Sequence, residues 1–236
     1  MKQIFALPLL LLASPALAGT FLAPEGCTAT LTVQSRGCTV SHFYTCEADP
    51  KGNQWRADFG LDGQFYQSMI DSETQWIESY EMEGTGNPVS KETLDQNPKD
   101  PASLSGLIDS GIDTFDFNLT KDSGEKTRVT GFDQFTGKTA VIDGMTLRQT
   151  EYEYTQTDEA GTVLRHSKGR EYISEDIRSF FSGTSEWQSE DGTWVIVEGA
   201  PISFMKPGEP GFGSTTPLFE CDAQMSSLPL FQGPRT

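Results

Sequence analysis

Histidine is nearly absent from this chain: His42 and His166 are the only two in 236 residues. Two histidines at unrelated positions supply no metal-ligand set. No G-x-S-x-G elbow is present, and nothing places a Ser beside either ring, so Ser-His-Asp chemistry has no support. Four cysteines occur without a C-x-x-C, which removes a thioredoxin-type redox pair and a zinc knuckle. Basic residues are half as many as acidic ones, 17 against 34, for a net charge of −17. Phosphate backbones and anionic lipid surfaces are therefore excluded as partners. The Asp-rich turns lack the EF-hand spacing, and the glycine loop at 208–213 lacks the strand-to-helix setting of a phosphate cradle. No cofactor, metal or catalytic residue is assigned.

Long apolar runs are missing too, except at the start. Lys2 precedes a run from Ile4 to Ala13 broken only by Pro8, and Ala16-Leu17-Ala18 matches the small-x-small pattern of signal peptidase. The run falls short of the about 20 residues a permanent membrane helix needs. Residues 1–18 are thus expected to be a cleaved secretory leader, and no Cys follows to take a lipid anchor. The expected product is an exported, soluble protein of the periplasm or extracellular space with no stable membrane anchor. Only Lys2 of the charged residues leaves with the leader, so 16 basic residues then face 34 acidic ones, a balance of −18. Such a charge keeps an exported protein dispersed.

What remains, residues 19–236, is read as a single β-rich domain with a Pro/Gly-rich tail from about residue 199. Fifteen Phe, six Tyr and four Trp supply large units of buried area. Ala29, Leu31 and Val33 alternate with Thr28, Thr30 and Thr32, and Trp55, Ala57 and Phe59 alternate with Arg56 and Asp58. Residues 74–82 form a further strand with Trp76, Glu78 and Tyr80 on one face. Phe115, Phe117 and Leu119 repeat the pattern, followed by runs at 127–135, 145–157, 162–174, 184–188 and 194–198. Three Asp-Gly dipeptides, at 62, 143 and 191, stand between such runs, and this pair tolerates the positive φ of a tight hairpin. The fold class expected is all-β: a mainly antiparallel meander of roughly nine to twelve strands, an open half-barrel or curved sheet.

Between residues 83 and 111 the strand pattern stops among Gly and Pro. Asp100 as N-cap, Pro101 as first residue, Leu104, Leu107 and Ile108 on one face and Gly111 as terminator predict one short crossover helix. The tail from Gly199 reads as extended loop. A bulge or corner is expected within 170–183.

The even cysteine count in an exported chain argues for two disulfides. If Arg36-Gly37 is a two-residue turn, Ser35 faces Cys38 and opposed positions keep a constant sum, which also pairs Cys27 with Cys46. Their Cα atoms would then be ~4.5–5.5 Å apart, within bridging range. Cys38 and Cys46 would be about 26 Å apart along one strand. The expected pairs are Cys27–Cys46 and Cys38–Cys221.

An exported meander with one crossover helix resembles, in architecture alone, the open half-barrels of periplasmic lipoprotein carriers. That resemblance implies an apolar ligand cupped between sheet and helix. The candidate ligand-lining residues are Trp55, Phe59, Phe115, Phe117, Tyr172, Phe180 and Phe181, more aromatic surface than one short helix covers. The leading reading is a non-enzymatic envelope protein binding an apolar, lipid-like ligand or an envelope partner, the enzyme question staying open. The alternatives are a structural or protein-interaction role with a filled core, and a hydrolase of an extracellular polymer acting through carboxylates. The Glu151/Glu153 pair is read as a solvated strand face, and Asn118-Leu119-Thr120 is a formal glycosylation sequon.

Overall fold

The computed structural model describes residues 19–84 and 86–222; the predicted leader, 1–18, and the end of the tail, 223–236, lie outside the described residues. Six strands come first: β1 (Cys27–Ser35), β2 (Thr39–Cys46), β3 (Gln54–Gly60), β4 (Gly63–Ile70), β5 (Trp76–Glu83) and β6 (Asn87–Leu94). One helix, α1 (Leu104–Ser110), separates them from β7 (Ile112–Lys121), β8 (Lys126–Ile142), β9 (Met145–Asp158) and β10 (Val163–Ser174). β11 (Ser179–Gln188), β12 (Trp194–Glu198) and β13 (Pro201–Met205) complete the chain.

Every neighbour pair is antiparallel. β1 to β12 follow in chain order and β13 adds beside β1, so one 13-stranded meander has β12 and β13 as its edges. Those edges are consecutive in sequence, joined only by Gly199-Ala200. At that corner the Gly199 N–H donates to the Gly183 carbonyl (2.9 Å) and the Arg36 N–H donates to the Ala200 carbonyl (2.9 Å). The sheet is not closed, but its curl brings both edges to one point. At the tip of the longest hairpin, Asp143 (φ 47°) and Gly144 (φ 77°) form a primed turn between paired Ile142 and Met145, as the dipeptide predicts.

The direction of curl follows from which side chains meet. Arg56 on β3 interacts with Glu171 on β10, and Trp76 on β5 meets Tyr154 on β9. Strands several positions apart touch only if the sheet wraps around the face carrying these residues, so that face is concave. α1 covers one end of it: Leu104 and Leu107 are buried against Ile173, Phe135 and Phe180, worth about 2 kcal/mol each. Ser103 caps the helix by accepting from the Gly106 N–H (3.0 Å), and Gly111 ends it at φ 85°. The Glu73 carboxylate accepts from Ser105 N–H (2.9 Å) and Oγ (2.8 Å), from Ser103 Oγ (3.2 Å) and from Arg178 (2.9 Å). It thereby ties the helix to the β4–β5 turn and the β10–β11 corner.

The opposite face of β1–β3 is covered by the chain ends. Phe21 stacks on His42 (centroids 4.5 Å apart) and meets Phe59 edge-on. Gln34 donates to the Thr216 carbonyl (3.0 Å) and accepts from Leu218 N–H (3.0 Å). Thr32 Oγ1 accepts from Gly213 N–H (2.9 Å) and shares a second hydrogen bond with Nδ1 of His42 (3.0 Å), whose direction follows the imidazole tautomer. Burial lowers the His42 pKa to about 4, only partly opposed by the Ser214 backbone.

Both expected disulfides are present, Cys27–Cys46 and Cys38–Cys221. The register behind them is different. Ser35 pairs with Thr39, so the turn holds three residues, and a bulge between Ala29 and Leu31 restores the frame in which Cys27 faces Cys46. Three further expectations shift. The breaker-rich segment contains β6, α1 begins at Leu104 rather than behind an Asp100 cap, and the tail carries β13. Asp100 instead forms an isolated bridge with Asp116.

Candidate ligand-binding face

β3 sets the polar floor of the concave face. Because its apolar residues Trp55, Ala57 and Phe59 turn toward the face covered by the N-terminal segment, the alternate residues Arg56 and Asp58 must point into the curl. Nε of Arg56 lies 3.0 Å from Oδ2 of Asp58, without the alignment of a true hydrogen bond. Asp58 is 6% exposed, and its Oδ1 has no hydrogen-bond partner. The Arg56 guanidinium sits over the ring of Tyr66 on β4, 5.8 Å from its centroid. The Arg56 side chain nevertheless keeps 34% of its surface accessible. A space of about 30 Å³ opens beside it among Phe43, Gln54, Ser68 and Ser179, room for a water-sized group.

From the far side of the curl come Asp133 on β8 and Glu171 on β10. Burial pushes the Glu171 carboxyl up to about 7, opposed by the charge of Arg56. Asp133 is driven well above the usual carboxylate range by burial and by the nearby charges of Glu171 and Asp113. Asp113 on β7 is also raised by burial, against the Ser103 N–H that donates to it. Burial would lower the Arg56 pKa, but Asp58, Tyr66 and Glu171 outweigh it. Tyr66 is raised by burial and Tyr154 is pushed up to about 12, so both keep their hydroxyl protons. Four acids, three of them pushed toward the neutral form, thus share this floor with Arg56, and Arg165 on β10 acts on Tyr152 and Tyr154. Asp133 and Glu171 move in the same direction, which is not the split into one acid and one base used in glycoside hydrolysis.

Beside this floor stands an aromatic wall. Trp76 is edge-on to Phe117 (5.6 Å) and to Tyr154 (5.9 Å); Phe115 adjoins Phe117, and Tyr152 stacks on Tyr154. Gly131 makes this approach possible, since a Cβ there would lie 2.7 Å from Tyr154 Cβ and 2.9 Å from Phe115. Phe117 is almost fully buried, yet Trp76 stays 42% exposed and forms the open end of the wall.

The seven candidate residues do not line one surface. Phe115 and Phe117 belong to the wall. Phe180 packs under α1. Tyr172 and Phe181 join Leu31, Val33, Phe43 and Phe204 where β1, β2 and β13 fold over β9–β11. Phe59 lies on the opposite face against Phe21 and His42. Trp55 stacks between Tyr44 and Tyr80 on that face and borders a groove of about 480 Å³ with Pro24, Tyr44 and Asp49. Trp76 was read as sharing a face with Glu78 and Tyr80, but the pairing shifts between Met69 and Ile70. It therefore joins the concave wall while Tyr80 stays with Trp55. His166 bonds Glu153 (2.7 Å) and meets Trp194 edge-on.

Sequence reading missed Arg56, Asp58, Asp133 and Glu171. In a strand pattern they look like solvated positions, and the only signal was that Arg56 and Asp58 alternate on one face. Among the described residues no cluster of His, Cys, Asp and Glu could hold a metal ion, and no helix is long and apolar enough to cross a membrane. No protein-family model, curated protein or solved structure matches this chain, and the functional reading stands on the geometry of the concave face.

Proposed function

We propose that this chain is an exported, non-enzymatic binding protein whose curled sheet takes an apolar, lipid-like ligand on its concave face. The observation that carries this is Trp76: a large indole on the face the rest of the sheet buries, 42% exposed beside buried Phe117. The bland alternative, a packed wall, would have covered it. Titration with the neutral dye N-phenyl-1-naphthylamine is expected to give saturable 1:1 binding in the micromolar range. Trp76→Asp should weaken it about tenfold or more, the cost of losing one large apolar contact, without lowering the melting temperature. Absence of saturable binding would overturn the reading.

Export is supported by the two disulfides, which persist in oxidising compartments. It is supported too by the use the fold makes of residues directly after Ala18. The Gly19 carbonyl accepts from Thr215 N–H (2.9 Å), Thr20 bridges Ser214 and Phe21 covers His42. N-terminal sequencing of the exported protein should read Gly19-Thr20-Phe21, and a retained Met1 would contradict it.

A protein-interaction role has one observation in its favour. β12 is a sheet edge carrying exposed Val195, Ile196 and Val197, a surface that suits strand addition by a partner.

A further inference from the structure

We propose that the groove beside Trp55 is a second binding site, on the face opposite the curl, and that it takes a neutral saccharide. One pyranose ring lies against the indole, with its hydroxyls directed to Asp49 and Gln67. The site is independent of the concave face and of the ligand proposed there.

The groove holds about 480 Å³ between the segment before β1 and the loop after β2, with Tyr44 and Trp55 in its lining. That size falls within the ~300–1,000 Å³ of small-molecule sites. Its walls are fixed before any ligand arrives. The Cys27–Cys46 bridge joins the two segments, and Glu47 N–H donates across them to the Gly26 carbonyl (3.0 Å). Cys27 N–H donates to the Pro24 carbonyl (3.0 Å) and Asp49 N–H to the Cys46 carbonyl (3.2 Å). The indole is pinned as well. Its Nε1–H donates to Oδ2 of Asp49 (2.7 Å), and its plane lies 7° from that of Tyr44 and 28° from that of Tyr80. Groups held in this way lose little freedom on binding.

The lining selects the chemistry of the ligand. Tyr44, Trp55 and Pro24 offer apolar surface, and Glu25, Glu47, Asp49 and Gln67 ring it with polar groups. An apolar ligand would strip water from those groups and give nothing back. An anion would be repelled by three carboxylates. A cation gains little, because Glu25 and Glu47 are exposed and keep their water, and Asp49 already holds the indole N–H. A neutral polyol with one apolar face meets all these conditions. One hydroxyl donates to Oδ1 of Asp49, the oxygen that Trp55 leaves. Another accepts from the Gln67 amide, whose Oε1 is taken by Gln64 (3.0 Å) and whose N–H end is therefore the useful one. The C–H groups on the face of a pyranose carry slight positive charge and suit the negative face of an indole.

Indole N–H signals in heteronuclear NMR separate this site from the concave one. Cellohexaose, maltohexaose, mannohexaose and the N-acetylglucosamine hexamer are each titrated to about 10 mM. At least one should shift the Trp55 signal to saturation with a Kd of about 0.1–1 mM and leave Trp76 in place. Calorimetry with that saccharide should show a loss of about tenfold or more for Trp55→Ala and about fivefold for Gln67→Ala. Gln67 is only partly buried and stands clear of the disulfide, so its variant keeps the test decisive if Trp55→Ala fails to fold. The double variant Glu25→Gln, Glu47→Gln should bind within about twofold of the wild type, since no ligand charge is involved. No Trp55 shift with any of the four hexamers would overturn the site. A shift of Trp76 instead would place the saccharide on the concave face and overturn it too. Binding restricted to the cationic glucosamine hexamer, and lost in the double Gln variant, would mark attraction to an acidic surface and refute the saccharide. Failure of dye binding at Trp76 leaves these outcomes unchanged.

Discussion

Replacing Cys38 and Cys221 together with Ser is expected to cost about 5 kcal/mol of folding stability, against about 3 kcal/mol for the Cys27/Cys46 pair. The difference follows from loop-closure entropy: the first bridge spans 183 residues of sequence separation and the second 19. A loss of about 5 kcal/mol is comparable to the whole stability of many domains. The bridge fastens a strap whose other contacts are modest. Cys38 N–H donates to the Phe219 carbonyl (2.9 Å), Arg36 pairs with Glu220, and buried Gln34 bonds Thr216 and Leu218. Without the bridge these contacts must hold unaided, and the face bearing Thr32, Gln34 and His42 opens to water. Urea unfolding of both double variants checks this. A smaller loss for Cys38/Cys221 than for Cys27/Cys46 would mean that the strap does not depend on its disulfide.

The second large effect is a stabilising substitution. Glu171 has its folded pKa raised from 4.5 to about 7. Its contribution is therefore fully present below pH 4.5 and is lost as pH rises through 7, on the order of 3 kcal/mol in all. Glu171→Gln removes the buried charge, so the variant should exceed the wild type by about that amount at pH 8 and by little at pH 4.5. Asp133 works in the same direction. His42 works in the other: its folded pKa falls from 6.5 to about 4, so its contribution is present above pH 6.5 and is lost as pH falls through 4. The wild-type profile mixes these trends, which is why the difference between variant and wild type is the informative quantity. A difference that does not change between pH 4.5 and 8 would show that Glu171 is not held in a desolvated site.

The strands and their order were legible in the sequence because most alternate and because Asp-Gly hairpins punctuate them. β6 was not, since Ser90, Lys91, Glu92 and Thr93 give a sheet interior strand a polar face and Pro88 looks like a breaker. β13 escaped for a related reason: Pro201 is its first residue, at the sheet edge where a missing N–H costs little. The disulfide pairing was reached through two one-residue errors that cancel, a longer turn and a bulge.

The site was much less legible. Alternation divides a strand into two faces but does not reveal which face the sheet will curl around. On β3 the apolar face looked like the inside, yet Phe21 covers it, and the Arg56–Asp58 face became the interior. Trp76 changed sides through a bulge that its own sequence does not announce. Such choices are made by long-range contacts between the chain ends and the sheet.

The most direct test of the concave face uses the four tryptophans, Trp55, Trp76, Trp187 and Trp194, as separate reporters. Their indole N–H signals can be followed by heteronuclear NMR during titration with N-phenyl-1-naphthylamine. The Trp76 signal should shift progressively to saturation at one equivalent while the other three stay in place. A titration that moves Trp55, Trp187 or Trp194 and leaves Trp76 still would place the ligand elsewhere and contradict the concave site.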